Sequence, residues 1–216
     1  MNPKTQRLLV GGAVGHIEAA VDEPTAAAVG TAVIAHPHPL FGGTMDNKVV
    51  QTLARAFVQA GWRAVRFNFR GVGQSGGGHD DGVGERDDMQ AVIEALAGAG
   101  PLALAGFSFG AAVTSYATQK AFVADRDLKA IVLVGTAASR FQVAPVPEAW
   151  QSRTLVIHGE VDETVPLASV LDWARPQSLP VTVVPGGEHF FHGRLPLLKG
   201  LVVRHLMVET ETQQLS

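Results

Sequence analysis

Residues 102–113 read Leu-Ala-Leu-Ala-Gly-Phe-Ser-Phe-Gly-Ala-Ala-Val. An apolar run of core-strand length enters Gly-x-Ser-x-Gly and leaves as a small-residue segment of helical character. Gly, Ala and Ser are common residues, so the weight of the pattern lies in its setting between a strand and a helix. That setting places Ser108 on a sharp, strained bend at the end of a sheet, with its hydroxyl projecting outward. Glycine is required at 106 and 110, because side chains there would collide as strand and helix pack against the turn.

The rest of the chain supplies the elements of such a sheet. Arg7–Gly11 and His16–Val21 flank a Gly-rich turn and read as a hairpin. From residue 31 onward, apolar runs alternate with helical patterns. Strands are predicted over Thr31–His36, Trp62–Phe69, Leu102–Ala105, Leu128–Val134, Thr154–His158 and Val181–Val184. Helices are predicted over Asp46–Ala60, Glu85–Ala97, Phe109–Lys120, Val165–Ala174 and Arg194–Met207. The first helix carries Val49, Val50, Leu53, Ala54 and Phe57 as its apolar positions, with Gly61 as its C-cap. Continuous apolar strands between helices imply an α/β fold, a mostly parallel sheet covered by helices on both faces. An open sheet is expected, because a (β/α)₈ barrel takes ~250 residues and this chain has 216. That length suits one domain over residues 1–216.

Composition excludes several functional classes. The chain is 46% hydrophobic and 17% charged, which describes a substantial core and not a disordered polymer. A formal net charge of −3 advertises no nucleic-acid or acidic-membrane partner. Cysteine is absent, which rules out disulfides, thiolate metal sites and a cysteine nucleophile, and suits a reducing compartment. No apolar run of signal length follows the N-terminus, and the longest apolar stretches fall short of a membrane span. A cytoplasmic protein is therefore expected, with no membrane partner, as a monomer or homodimer.

Open α/β sheets build their sites from the loops at the strands' C-terminal ends. Here those loops are Pro37-His-Pro-Leu-Phe-Gly-Gly43, Arg70-Gly-Val-Gly-Gln-Ser-Gly-Gly-Gly78, the serine turn, Gly159-Glu-Val-Asp-Glu163 and Pro185-Gly-Gly-Glu-His189. A serine hydroxyl needs a base to take its proton, usually a histidine oriented by a carboxylate. In sheets of this type the three follow the order Ser…Asp…His. Asp162 and His189 fit both the order and the placement, while the loop Gly135-Thr-Ala-Ala-Ser139 carries no acid. Glu160 and Glu163 compete with Asp162, which is preferred for its position before Val165-Pro166, where the chain turns into a helix. His192 competes with His189 and should lie deeper in its turn, pointing elsewhere.

An oxyanion formed in acyl transfer needs two N–H donors. One is the amide of Phe109. The prolines at 37 and 39 have no N–H, so the second is His38 or Leu40. His36 and His38 form a His-x-His pair, yet no carboxylate or third histidine has ligand spacing, and both read as structural. Gly71-Val-Gly-Gln-Ser-Gly76 matches the dinucleotide fingerprint. No helix opens at once behind it to hold a pyrophosphate, and no acid ends a strand ~20 residues on. No cofactor and no metal are expected.

Five segments, His36-Pro-His-Pro-Leu-Phe-Gly-Gly-Thr44, Asn68-Phe-Arg-Gly-Val-Gly-Gln-Ser75, Gly106-Phe-Ser-Phe-Gly110, His158-Gly-Glu-Val-Asp162 and Gly187-Glu-His-Phe-Phe191, occur in an order that resembles the α/β-hydrolase superfamily. The resemblance covers nearly the whole chain and is greatest to small bacterial serine hydrolases of the esterase type. It implies an eight-stranded, mostly parallel sheet whose second strand is antiparallel, with Ser108 as nucleophile, His189 as base and Asp162 as the carboxylate. Many members insert a helical cap after the sixth strand. Here only about twenty residues separate Val134 from Thr154, too few for a lid. An open site follows, shaped by Phe41, Phe107, Phe109, Phe141, Trp150, Phe190 and Phe191. The expected activity is hydrolysis of carboxylic esters, short or exposed, through an acyl-serine, with a small-molecule acyl substrate as partner. Thioesterase, peptidase or acyltransferase chemistry would use the same residues, and a non-catalytic binding protein could keep the fold. An aspartate at 108 would be needed for a dehalogenase or epoxide hydrolase, which excludes both.

Overall fold

In a computed structural model, which describes residues 5–119 and 126–214, the apolar runs lie side by side as one sheet. Its strands are β1 (Gln6–Gly12), β2 (Gly15–Asp22), β3 (Thr31–Ala35), β4 (Arg63–Phe67), β5 (Leu102–Phe107), β6 (Leu128–Val134), β7 (Thr154–Gly159) and β8 (Val181–Val184). They are ordered β1-β2-β4-β3-β5-β6-β7-β8. β2 runs antiparallel to both β1 and β4, and the pairings from β4 through β8 are parallel. The α/β hydrolase-type sheet expected from the sequence is present. From β3 the chain steps outward to β4 and then returns past β3 to β5. The crevice beyond the ends of β3 and β5 is thus the switch point, where such sheets bind ligands.

The helices are α1 (Lys48–Gln59), α2 (Gly84–Leu96), α3 (Phe109–Ala117), α4 (Glu148–Gln151), α5 (Leu167–Ala174) and α6 (Leu195–Gln214), with 3₁₀ turns at Pro39–Phe41 and Arg175–Gln177. Period-two alternation in the strands feeds two cores. Leu102 and Leu104 of β5 pack with Met89, Ile93, Phe109 and Val113 under α2 and α3. Ala103, Ala105 and Phe107 face the other way, toward Leu53 and Phe57 of α1 and Leu198 and Val202 of α6. Full burial of each large apolar side chain contributes about 1.5–3 kcal/mol.

Element ends differ from the sequence reading for local reasons. α1 begins at Lys48 because the Asn47 carboxamide oxygen accepts the Val49 N–H at 2.9 Å, capping the helix one residue past Asp46. β5 runs on to Phe107 because Gly106 and Phe107 pair with Leu133 and Val134 of β6. The helix expected over Phe109–Lys120 ends at Ala117, and Lys120 lies outside the described residues. β4 stops at Phe67, and the amide of Phe69 turns to the imidazole of His36. Among the described residues no helix is long and apolar enough to cross a membrane.

His36 is fully buried and ties the end of β3 to the end of β4. Its Nδ1–H donates to the Pro37 carbonyl at 2.6 Å, and its Nε2 accepts the Phe69 N–H at 3.0 Å. Those partners require a neutral ring, and burial pushes its pKa down to about 4. An unfolded chain therefore binds a proton that the native chain refuses. This contribution to stability is complete above the ordinary histidine pKa and is lost as pH falls toward 4. Its size is at most about 3 kcal/mol. Urea unfolding at about pH 7 and about pH 4.5 should show this loss, and His36→Gln should flatten the pH dependence.

Candidate active site

Ser108 stands between β5 and α3 at φ 57° and ψ −116°, a conformation that L-residues rarely adopt. Its amide donates to the Val134 carbonyl at 2.8 Å, which fixes the bend to the neighbouring strand β6. The flanking glycines have the steric role expected of them. A β-carbon at 106 would lie 2.3 Å from the Gly110 carbonyl oxygen, and one at 110 would lie 2.4 Å from that of Ala35. Only bare backbone fits there.

From this bend the Ser108 hydroxyl reaches His189. The separation from Oγ to His189 Nε2 is 3.0 Å, and His189 Nδ1 lies 2.7 Å from Asp162 Oδ2. A carboxylate can only accept, so Nδ1 carries the imidazole proton and Nε2 is left to accept from the serine. The second oxygen of Asp162 accepts the amides of Thr164 at 2.9 Å and Val165 at 2.7 Å. Burial raises the Asp162 pKa, but the bonds from His189 and Val165 outweigh it and leave the group below the ordinary carboxylate value. His158, fully buried beneath, donates from Nε2 to the Val165 carbonyl at 2.9 Å and lies 3.5 Å from Asp162. The structure thus joins Ser108, His189 and Asp162, each just past a different parallel strand.

Around them lies a cavity of about 270 Å³ lined by Pro37, His38, Phe41, Gly42, Gly43, Asn47, Ser108, Phe109, Ala137, Arg140, Phe141, Thr164, Val165, His189 and Phe190. Its aromatic residues form two groups. His38, Phe109 and Phe141 pack together with centroids 4.9–5.3 Å apart. Phe190 stacks edgewise on His189 at 5.1 Å, with Phe107 behind both. Burial, then the nearby His79, pushes the His38 pKa below the ordinary value, with Arg140 adding to the effect and Glu85 and Asp81 opposing it.

A family model for the alpha/beta hydrolase fold matches residues 38–153. The chain belongs to the α/β-hydrolase family. A crystal structure of a lidless α/β serine hydrolase from Xanthomonas campestris is 37% identical, with a TM-score of 0.84, over 96% of this chain and 95% of that one. An α/β serine hydrolase homologue from Coxiella burnetii is 40% identical, with a TM-score of 0.78, over 93% of this chain and 97% of that one. An uncharacterised protein of Rickettsia prowazekii is 40% identical over 109 residues, 49% of this chain and 46% of that protein, so the match spans less than half of that relative.

Among the described residues, no cap stands between β6 and β7. The connection 135–153 between β6 and β7 holds only the one-turn helix α4. Several residues named from the sequence stand apart from the serine. Leu40 is 70% exposed, and its amide donates to His38 Nδ1 at 3.2 Å, whereas among the described residues the His38 amide donates to nothing. His192 points outward onto Glu188. Glu160 is exposed and accepts the Gly186 amide at 2.8 Å, and Glu163 is exposed beside Asp162. Of the seven expected aromatics, Phe41, Phe109, Phe141 and Phe190 line the cavity. Phe107 backs His189. Phe191 instead fills the core against α1 and α6, and Trp150 packs beside the core on the opposite face of the sheet. Their neighbours in sequence drew them into the prediction, but both turn inward to bury apolar area.

The sequence reading missed Arg140, Asn47, Thr164 and Val165 as lining residues. Asn47 caps α1 after β3, Arg140 follows β6, and Thr164 and Val165 follow β7, so only the packing of three separate loops brings them to the cavity. The glycine loop after β4 is engaged with its own chain: Gly71 donates to the Gly76 carbonyl and Gly76 to that of His16. Among the described residues no group of three or more His, Cys, Asp and Glu is placed to hold a metal ion.

Gly110→Ala should destabilise the fold by 2 kcal/mol or more, on the order expected when a new side chain meets immovable backbone. Ala112→Gly, in the same helix and free of that contact, should cost about 1 kcal/mol. Chemical unfolding of the two variants beside the wild type measures the difference, and equal losses would contradict the steric account.

Proposed function

We propose that this protein hydrolyses carboxylic esters through an acyl-serine intermediate. What carries the reading is the hydrogen-bonded chain from Ser108 through His189 to Asp162, opening on an apolar cavity. Ser108 Oγ attacks the ester carbonyl carbon as His189 Nε2 takes its proton. Asp162 remains ionised and stabilises the imidazolium, a role suited to a carboxylate that accepts three hydrogen bonds and is held below its ordinary pKa, against burial, by those from His189 and Val165. The carbonyl oxygen becomes an oxyanion held by two backbone N–H groups. One is that of Phe109, in the first turn of α3, where no helical carbonyl can reach it. The other is that of His38, since the Leu40 amide is already given to the His38 ring.

Collapse of the tetrahedral intermediate expels the alkoxide, which takes the proton from His189 Nε2. Water then attacks the acyl-serine, giving its proton to the same nitrogen. The acid leaves, and Ser108 recovers its hydrogen. Support for a small or exposed acyl group comes from the short β6–β7 connection and the uncovered cavity.

A fluorophosphonate probe should label the wild type and leave Ser108→Ala unlabelled. Asp162→Asn should lower kcat on the order of 10³–10⁴-fold, because an amide favours the wrong imidazole tautomer. Across p-nitrophenyl esters from acetate to palmitate, kcat/KM should be highest at the short end. Equal labelling of Ser108→Ala would refute the nucleophile, and best activity on palmitate would refute the short-chain preference.

A further inference from the structure

Among the residues lining the cavity, Arg140 alone carries a permanent charge. Its backbone is fixed by a turn in which the amides of Arg140 and Phe141 both donate to the Ala137 carbonyl, at 3.1 and 3.0 Å. The Phe141 ring is in turn held against Phe109 at 4.9 Å and His38 at 5.3 Å. The guanidinium donates from Nε to the Thr164 carbonyl at 3.4 Å. No ion pair among the described residues includes it. The other arginines that enclose polar groups differ. Arg66 is paired with Asp22 and Asp46, and Arg70 with Asp88. The carboxylate beneath the Thr164 loop, Asp162, is committed to two amides and His189.

The direction of a bound ester follows from the roles proposed above. Its leaving oxygen must lie by His189 Nε2, beside Phe190, and its carbonyl oxygen by the amides of Phe109 and His38. The acyl chain then runs along the Phe109–Phe141 wall, where the next residue is Arg140. A guanidinium with free donors at the end of an apolar wall is matched to a carboxylate, which it can hold through two parallel hydrogen bonds.

We infer that the preferred substrates are monoesters of dicarboxylic acids, with the distal carboxylate of the acyl chain held by Arg140. This rests on the hydrolase reading. Hydrolysis of such a monoester consumes one water and releases the alcohol, the dicarboxylate and one proton. The alcohol oxygen leaves from the scissile bond, and water supplies the new carboxylate oxygen.

Three p-nitrophenyl esters test it: adipoyl, with a distal carboxylate; hexanoyl, neutral and of the same length; and 6-aminohexanoyl, with a distal cation. In the wild type the ratio of kcat/KM for adipoyl over 6-aminohexanoyl should be about tenfold or more, the size of one charge-assisted hydrogen bond. It should shrink with added salt. Arg140→Gln should bring the ratio near one, and Arg140→Glu should invert it. Thermal unfolding should show both variants folded, since Arg140 is exposed. Turnover of all three esters with no charge discrimination, or a ratio unmoved by Arg140→Glu, would overturn the proposal alone. No turnover together with no fluorophosphonate labelling would overturn the hydrolase reading and this inference with it.

Discussion

The contact between Gly110 and the end of β3 sets the geometry on which the site depends. With no side chain at 110, the first turn of α3 can rest against the carbonyls of Ala35 and His36. That approach leaves one residue, Ser108, to reverse the chain between strand and helix, at a cost in backbone strain of about 1–3 kcal/mol. The two cores bear the cost: β5 and α3 bury Leu104, Phe107, Phe109 and Val113 with almost no solvent contact. The same approach brings the amide of Phe109 beside the loop that begins at His36. A packing constraint between two stretches of backbone therefore fixes the position of a strained serine and of the amide that follows it.

The loops around the serine are held by buried polar groups rather than by regular structure. Asn68 accepts the Met45 amide at 2.8 Å and donates to Glu18, which also accepts the Gln74 amide at 3.0 Å. Ser75 accepts the Glu18 amide and donates to the Asn68 carbonyl at 2.7 Å. Burial raises the Glu18 pKa, yet the bonds from Gln74, Asn68 and Arg7 bring it below the ordinary value. Asp88 closes the outer side by gripping both the amide and the guanidinium of Arg70. Within the segment Asn68–Ser75, the side chains of Asn68 and Ser75 and the amides of Arg70, Gly71 and Gln74 are thus engaged with polar groups of the same chain. Each acid here is satisfied, so removing one partner would leave a buried charge uncompensated.

How much of this was legible depended on the range of each signal. The alternation of strands and helices, the bend at Ser108 and the placement of Asp162 and His189 past strand ends were readable because each rests on short patterns in the sequence. The proposed preference for the His38 amide over that of Leu40 was not, because it rests on the His38 ring folding back 3.2 Å from the Leu40 amide. No spacing rule encodes that rotation. Phe190 and Phe191 show the same limit more sharply. They are adjacent and chemically identical, yet one is 43% exposed at the cavity and the other fully buried. A positive φ of 54° at Phe191 swings its ring under the sheet, and that dihedral is set by the Glu188–Phe191 turn within its tertiary setting. Arg140 was invisible for a third reason: its meaning comes from the loops it faces.

Without a cap, water must be excluded from the serine by other means. Desolvation strengthens every electrostatic interaction in such a site, and a lidded enzyme obtains it by closing. Here the residues at the mouth are Phe41, 80% exposed, and Phe190, 43% exposed. Both rings stand in water until something apolar covers them. An ester laid across them would bury its own surface and theirs together, so the substrate itself would dry the site. On the acyl side, binding energy would then scale with the apolar length laid along the Phe109–Phe141 wall, up to the point where the chain meets Arg140. The charge at that boundary sets a length and a terminus, which an open apolar groove alone would not specify.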